Sequence, residues 1–489
     1  MKRISLSILL ILSVFLYNCQ ETYIPITTKS QDARDLFIQG LDLMQRLRVP
    51  ESVEYFEKAV QLDTNFALAY FNLSVAAENA IDRLRYLEKA KSKIDDVSKG
   101  ERLLILGFDA AIMGNPGKQL EYFEELVRVY PKDVNAHMTL GNQYFGTQKY
   151  DLAIEQYKIA SQLNPQFTQT YNQLGYSYRF MGDYSKAEAA FKKYISLLPD
   201  DSNPYDSYAE LLLEMGEYEV SIENYEKAIE LNPDFANSYM GIATNLNLKG
   251  EHELARKKLK EMYYQFKNEG IRRQALGAMV ISFVDQGKYD QALKTMEKRL
   301  ENAMASLDTL AMVRDHNLMG IILLDEGNVN AADEKFRYMI TLVNKSNSPA
   351  AIKNAWQRIS FYWQSRISLE REKFDEAWKY QKMYFQAATE VENVFQIKAA
   401  HGLAGMILFA EEKFDEALSE FEKSNLQNPY NFYRMGLVYK AKGDLTSAKQ
   451  YFEKSVNANS FNNLNYSFVR RRSEIQLQKL YKQMNSNSG

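Results

Sequence analysis

Residues 134–235 hold three consecutive copies of one 34-residue pattern with no insertion between them, and this repetition constrains the chain more than any other feature. When 135–167, 169–201 and 203–235 are aligned, a small residue recurs at Gly141, Gly175 and Ala209. Tyr144, Tyr178 and Leu212 follow three residues later, then Tyr150, Tyr184 and Tyr218, then the small Ala153, Ala187 and Ser221. Each copy closes with a ring (Tyr157, Phe191, Tyr225) and a proline (Pro165, Pro199, Pro233).

Apolar residues spaced i, i+3, i+4 and i+7 in each half-copy predict two amphipathic helices. Gly182-Asp183 and Met215-Gly216-Glu217 break the chain between them, and the prolines end the second helix because proline cannot continue one. Gly175 and Ala187 fall where two helix backbones must approach closely. A single hairpin of this kind cannot bury its apolar face, so neighbours stack and the expected class is an all-α solenoid. In the three clean copies 135–145 should pack on 151–163, and so on by 34.

These residues resemble the tetratricopeptide repeat, whose signature is the fixed period and not any single motif. The resemblance extends over roughly 33–460. An earlier copy carries Gly40, Phe56 and Ala59, a degenerate one keeps Tyr70 and Leu73, and a third carries Gly107, Gly114, Phe123 and Pro131. After Ile271 the helices lengthen and the period drifts to 40 and 45 residues, judged by Tyr289, Val329, Phe374 and Phe414. A last copy has Gly436, Gly443, Ala448 and Phe452. We therefore expect about twelve hairpins in two stretches, 33–270 with 34-residue repeats and 271–460 with longer ones. Within 461–489, residues 464–483 form a polar capping helix and 485–489 a disordered tail.

The start of the chain reads as a signal peptide, 1–19. Lys2-Arg3 precede a short apolar run, and Cys19, the only cysteine, lies where a bacterial lipoprotein signal places its acylated residue. Leu16-Tyr17-Asn18 departs from the small residues preferred before that cysteine, and an ordinary cleaved signal or an uncleaved anchor is the competing reading. Residues 20–32 read as a tether. With 60 Lys plus Arg against 63 Asp plus Glu, the chain lacks the basic field that recruits nucleic acid.

No catalytic constellation emerges. His137, His252, His316 and His401 fall in four different hairpins, without the i, i+4 spacing of a helical metal site. Gly117-Lys118 lacks the first glycine and the Ser or Thr of a phosphate loop, and there is no G-x-S-x-G elbow. Paired carboxylates such as Asp375-Glu376 and Asp415-Glu416 read as solvated helix faces. Arg470-Arg471-Arg472 is a short basic run with the chemistry to touch anionic lipid head groups. We expect no enzyme activity, cofactor or metal.

The resemblance places the inward residues of each first helix along a concave groove. Here they are Asn135, Met138, Asn142 and Phe145, then Asn172, Gln173, Tyr176 and Arg179, then Asn203, Asp206, Ser207 and Glu210, then Asn237, Met240, Thr244 and Asn247. Side-chain amides in a row can pair with the backbone of an extended peptide; the bland alternative is that asparagine merely tolerates an exposed helix face. The lysines of the family's carboxylate clamp are missing. The expectation is a noncatalytic protein-binding scaffold, lipid-anchored to a bacterial membrane, with the outer membrane favoured. The alternative is a glycan- or nutrient-binding module of an uptake system, which exposed tryptophans would mark, yet Trp356, Trp363 and Trp378 share one late hairpin.

Overall fold

The computed structural model describes residues 22–486 except 47 and 78; the signal segment and Cys19 lie outside the described residues. Among the described residues there are twenty-five α-helices, one short 3-10 helix and no strand. The first twenty-four α-helices pair in order into twelve antiparallel hairpins, each stacked on the next. Helices of the early hairpins, such as Val134–Gly146 and Tyr150–Leu163, are short; from Glu269–Asp285 onward most are longer, up to Ala350–Glu370. Ala236–Leu248 and His252–Gln265 are still of ordinary length, so the lengthening begins with Glu269–Asp285.

One contact repeats through the stack. In many hairpins a ring midway along the second helix packs against the small residue of a first helix: a Cβ added to Gly141 would stand 2.5 Å from Tyr157, one on Gly175 2.6 Å from Phe191, and one on Gly241, in the next hairpin, 2.2 Å from Tyr225. Gly40 with Phe56, Gly107 with Phe123, Gly320 with Phe336, Gly405 with Phe421 and Gly436 with Phe452 repeat it outside the clean copies. These rings are wholly buried or nearly so. The prolines carry a second periodic contact: Tyr171, Tyr205 and Tyr239 donate their hydroxyls to the carbonyls of Pro165, Pro199 and Pro233 at 3.0, 3.0 and 3.1 Å. His137 occupies the same place one copy earlier, with Nε2 2.9 Å from the Pro131 carbonyl oxygen. Turns within hairpins need a left-handed residue, supplied by Gly182, Gly216 and Gly250 and, in the copy without glycine there, by Gln148 at φ 62.

Two segments depart from expectation. The stretch read as a tether is a strap: Ile24 N–H donates to Asp133 (2.9 Å), Thr27 N–H and hydroxyl donate to Glu101 (2.7 and 2.5 Å), and the Thr28 hydroxyl donates to Asp63 (2.6 Å). Carboxylates at the starts or ends of helices thus hold extended chain along three hairpins, and the first helix, Gln31–Gln45, begins straight after it. The last helix, Leu464–Ser486, covers the final hairpin but does more than cap it, and it extends into the stretch expected to be disordered. It packs on the final hairpin and also on Glu269–Asp285, burying Phe468 and Val469 against Val280, Val284, Met296, Met319 and Ile322. Arg470 donates to the carbonyls of Asn247 and Leu248, where a helix ends, and Arg472 is paired with Asp325. Two of the three arginines read as lipid contacts therefore face inward.

The stack also closes on itself. Turns within early hairpins meet segments well over two hundred residues later: Gln148 donates to Gln427 (2.8 Å), Lys398 to Gln148 (2.7 Å), and the Tyr218 hydroxyl to Asn459 (3.1 Å). A Cβ on Gly117 would strike the Glu392 side chain, so these two segments also touch.

Gly175→Ala should destabilise the protein by about 1–3 kcal/mol, because Phe191 is buried and has no room to yield. Gly146→Ala, which meets nothing within 4 Å, should be neutral or slightly stabilising in the same denaturant titration.

Candidate partner-binding groove

First helices of successive hairpins touch one another, so their shared face forms the inner wall of the curve. The expected groove residues lie on this wall, but most are spent on one another. Arg179 bonds Glu210 at 2.9 Å and Glu214 at 3.2 Å, and its guanidinium lies between the Tyr176 and Phe180 rings at 4.9 and 4.7 Å. The Tyr176 hydroxyl donates to Ser207 (3.3 Å), Ser207 to Asn203 (3.3 Å), and the Asn203 amide to the Tyr194 hydroxyl (2.8 Å). Ser238 donates to Asp206 at 2.7 Å, and Ser282 to Asn247 at 2.8 Å. Three of these bonds (Tyr176–Ser207, Arg179–Glu210, Asp206–Ser238) join residues 31 or 32 apart, the offset at which adjacent first helices face each other.

The first hairpin covers part of the same wall. Gln169 donates to the Gln45 carbonyl at 3.2 Å, closing the curve across its hollow. Asn172 is buried, and its Oδ1 has no hydrogen-bond partner among the described residues. Asn135, Asn142 and Asn237 remain exposed and Gln173 half-buried, with Asn142 accepting the Tyr157 hydroxyl at 2.8 Å. A continuous amide groove from Asn135 to Asn247 is thus not what the fold presents: Asn172, Asn203, Asp206 and Asn247 are interior residues.

What stays open is a channel further along. One cavity of about 680 Å³ lies between the first hairpin (Arg48, Pro50, Glu51) and the wall at Asn232, Phe235, Asn237, Phe266 and Gln274. A second, of about 340 Å³, shares Asn237 and Gln274 with it and continues past Met240, Arg273 and Arg299 to Asn462. Among the expected residues only Asn237 and Met240 line this channel. Gln274 and Arg273 were missed because they belong to the first of the long helices, beyond the clean period.

The remaining chemistry is structural. Among the described residues, no three His, Cys, Asp or Glu side chains converge as metal ligands. His252 pairs with Asp285 at 2.8 Å, His401 with Glu420 at 2.7 Å, and His316 lies against the Tyr338 ring, its pKa lowered to about 4 by burial and by Lys335. Trp363 stacks on Phe336 at 4.5 Å and bonds Asn317, and Trp378 bonds Glu411. All three tryptophans are half-buried, and Trp378 lines an open cavity of about 730 Å³ together with Phe385 and His401. Burial, reinforced by Glu210, pushes the Asp206 carboxyl up to about 8 against the opposing bond from Ser238.

The model of the family described as TPR repeat matches residues 141–182 and 209–244, and that described as tetratricopeptide repeat matches 168–201 and 429–462. The matched stretches are tetratricopeptide repeats. No curated protein matches the chain. Among solved structures, a MamA protein aligns at 22% identity over 35% of this chain and 96% of its own, with a TM-score of 0.29. MamA from Desulfovibrio magneticus RS-1, residue 41 to its end, aligns at 18% over 34% and 93%, also at 0.29.

Asp206 gives the repeats a pH signature. Its folded pKa is raised, so the native state holds a proton that the unfolded chain releases near 4, and stability falls as pH rises from about 4 to about 8. The lowered pKa of His316 acts oppositely, adding stability as pH rises from about 4 to about 6.5. Between pH 6.5 and 8 the Asp206 loss stands without that offset, at most about 1.4 kcal/mol per pH unit for one proton. Asp206→Asn, which keeps an acceptor for Ser238, should flatten that decline in thermal unfolding measured at several pH values.

Proposed function

We propose that the chain is a noncatalytic scaffold of a bacterial envelope, held at a membrane by an acylated Cys19, that takes an extended segment of a protein partner into the channel around Asn237 and Gln274. The observation that carries the binding part is the channel itself: two adjoining cavities lined by exposed amides, the Phe235 and Phe266 rings and the backbone of a hairpin junction. Amide side chains serve as both donors and acceptors for an extended backbone, and rings give apolar contact without reading a particular sequence. Tetratricopeptide repeats support a protein partner over a small-molecule one. Anchoring rests on Lys2-Arg3, the apolar run and Cys19 alone, with the outer membrane as the favoured site.

A photoreactive residue at position 274 should capture a partner in native membranes, and one at Glu226 on an outward helix should not. Asn237→Ala with Gln274→Ala should leave thermal stability within about 0.5 kcal/mol per exposed site. Partner recovery should fall about 5- to 100-fold, if each amide contributes roughly 0.5–1.5 kcal/mol. Equal capture from both positions moves the binding surface elsewhere. Cys19→Ala should release the protein from salt-washed membranes; if it stays bound and a fatty-acid label finds no attachment on the wild type, the anchor is of another kind.

A further inference from the structure

A second cavity, apart from the partner channel, lies where the last helix crosses the inner wall. It measures about 90 Å³ and is lined by Asp325, Tyr362, Trp363, Arg366, Tyr430, Arg434 and Phe468, among others. Two guanidiniums from different hairpins, Arg366 on Ala350–Glu370 and Arg434 on Pro429–Ala441, enter it. Their charges are not matched. Asp325, the carboxylate in the lining, is already engaged: Arg472 holds both of its oxygens at 3.0 and 2.9 Å, and the hydroxyls of Tyr289 and Tyr430 donate to it at 2.8 and 3.0 Å. Arg366 reaches only Glu370, at 3.2 Å on the outer side, and its Nε is buried with no hydrogen-bond partner among the described residues. Arg434 donates to the neutral Asn431 amide at 2.9 Å and stacks on Tyr430 at 4.2 Å, and it forms no ion pair with any described carboxylate.

Two guanidiniums facing one small cavity, of which Arg366 has a single ion pair to Glu370 and Arg434 has none, are a costly arrangement, since desolvation is offset only by paired and hydrogen-bonded opposite charge. Burial, with the neighbouring Arg366 charge adding to it, pulls the Arg434 pKa below its usual value. Guanidinium forks present planar sets of N–H donors that match carboxylate or phosphate oxygens, and they bind such groups in two-point geometry. Tyr362, Trp363 and Phe468 supply apolar parts of the lining, beside the neutral amides of Asn428 and Asn465. The cavity has room for one such group and little more, about the space of three water molecules in the liquid.

We propose that the Arg366–Arg434 cavity is a binding site for a single oxyanion, a carboxylate or phosphate group, bridged between the two guanidiniums. The occupant is either a free small anion or the acidic group of a bound segment, and in both cases it neutralises the pair and ties the late hairpins to the last helix.

The test uses the full chain in detergent at constant ionic strength, with sodium phosphate, sodium acetate or N-acetylglutamate amide replacing chloride. Thermal midpoint and tryptophan emission, to which Trp363 at the cavity wall contributes, are followed against anion concentration. A saturable rise in midpoint with phosphate alone identifies a phosphate site, and one with acetate and the capped glutamate identifies a carboxylate site; either supports the proposal. Arg434→Gln should fold and shift half-saturation to at least tenfold higher anion concentration; Arg366→Gln should do the same. If both variants fail to fold, the wild-type titration decides. The proposal is overturned if no anion differs from chloride in the wild type, or if Arg434→Gln responds as the wild type does.

Discussion

The ring that packs on a glycine inside seven of the twelve hairpins is the contact on which the rest of the structure depends. Gly141 beneath Tyr157 and Gly175 beneath Phe191 set the distance between the two helices of a hairpin, leaving no space for even one methyl group. That distance fixes where the first helix presents its inward residues, and therefore how adjacent first helices meet. The ladder of Tyr176 to Ser207, Arg179 to Glu210 and Asp206 to Ser238 follows from it, since side chains bridge from one hairpin to the next at a constant offset. Packing inside the hairpin thus determines which polar residues are interior.

Closure then decides what is left for binding. An open solenoid would show its inner wall to solvent, and amides along it would be available to a partner. Here the first hairpin reaches that wall at Gln169, the strap fastens the N-terminal hairpins, and the last helix crosses the wall near Asp325. The Arg472–Asp325 pair, completed by Tyr289 and Tyr430, satisfies a buried carboxylate on both oxygens; leaving either partner alone would cost several kcal/mol, about 3–5 by comparison with other buried pairs. What remains accessible near the closed inner wall includes the channel at Asn237 and Gln274 and the small cavity at Arg366 and Arg434.

Much of this fold was legible because a period reports local physics. The hairpins, the turn glycines and the prolines all follow from residues within one 34-residue unit. His137 was legible in principle too, as it stands where Tyr171, Tyr205 and Tyr239 stand in later copies and meets the same proline carbonyl. The groove was misjudged for Asn172, Asn203, Asp206 and Asn247 because a residue facing inward is not thereby exposed, and their burial depends on neighbours 31 or more residues away. The strap and the inward arginines were illegible for a stronger reason: Ile24 meets Asp133 and Arg472 meets Asp325 through closure of the whole curve, which leaves no periodic trace. Asp325 itself reads in sequence as one more acidic residue near a helix end.

Closure is the central claim, and a distance across it tests that most directly. Spin labels on Gln148→Cys and Gln427→Cys, in a chain whose Cys19 has been replaced by serine, report the separation of two segments whose side chains are in hydrogen-bond contact. The account predicts one narrow distribution at the short end of the measurable range. A broad distribution at long distances would mean that the repeats form an open curve, and that the inner wall, Asn135 to Asn247 included, is free for a partner after all.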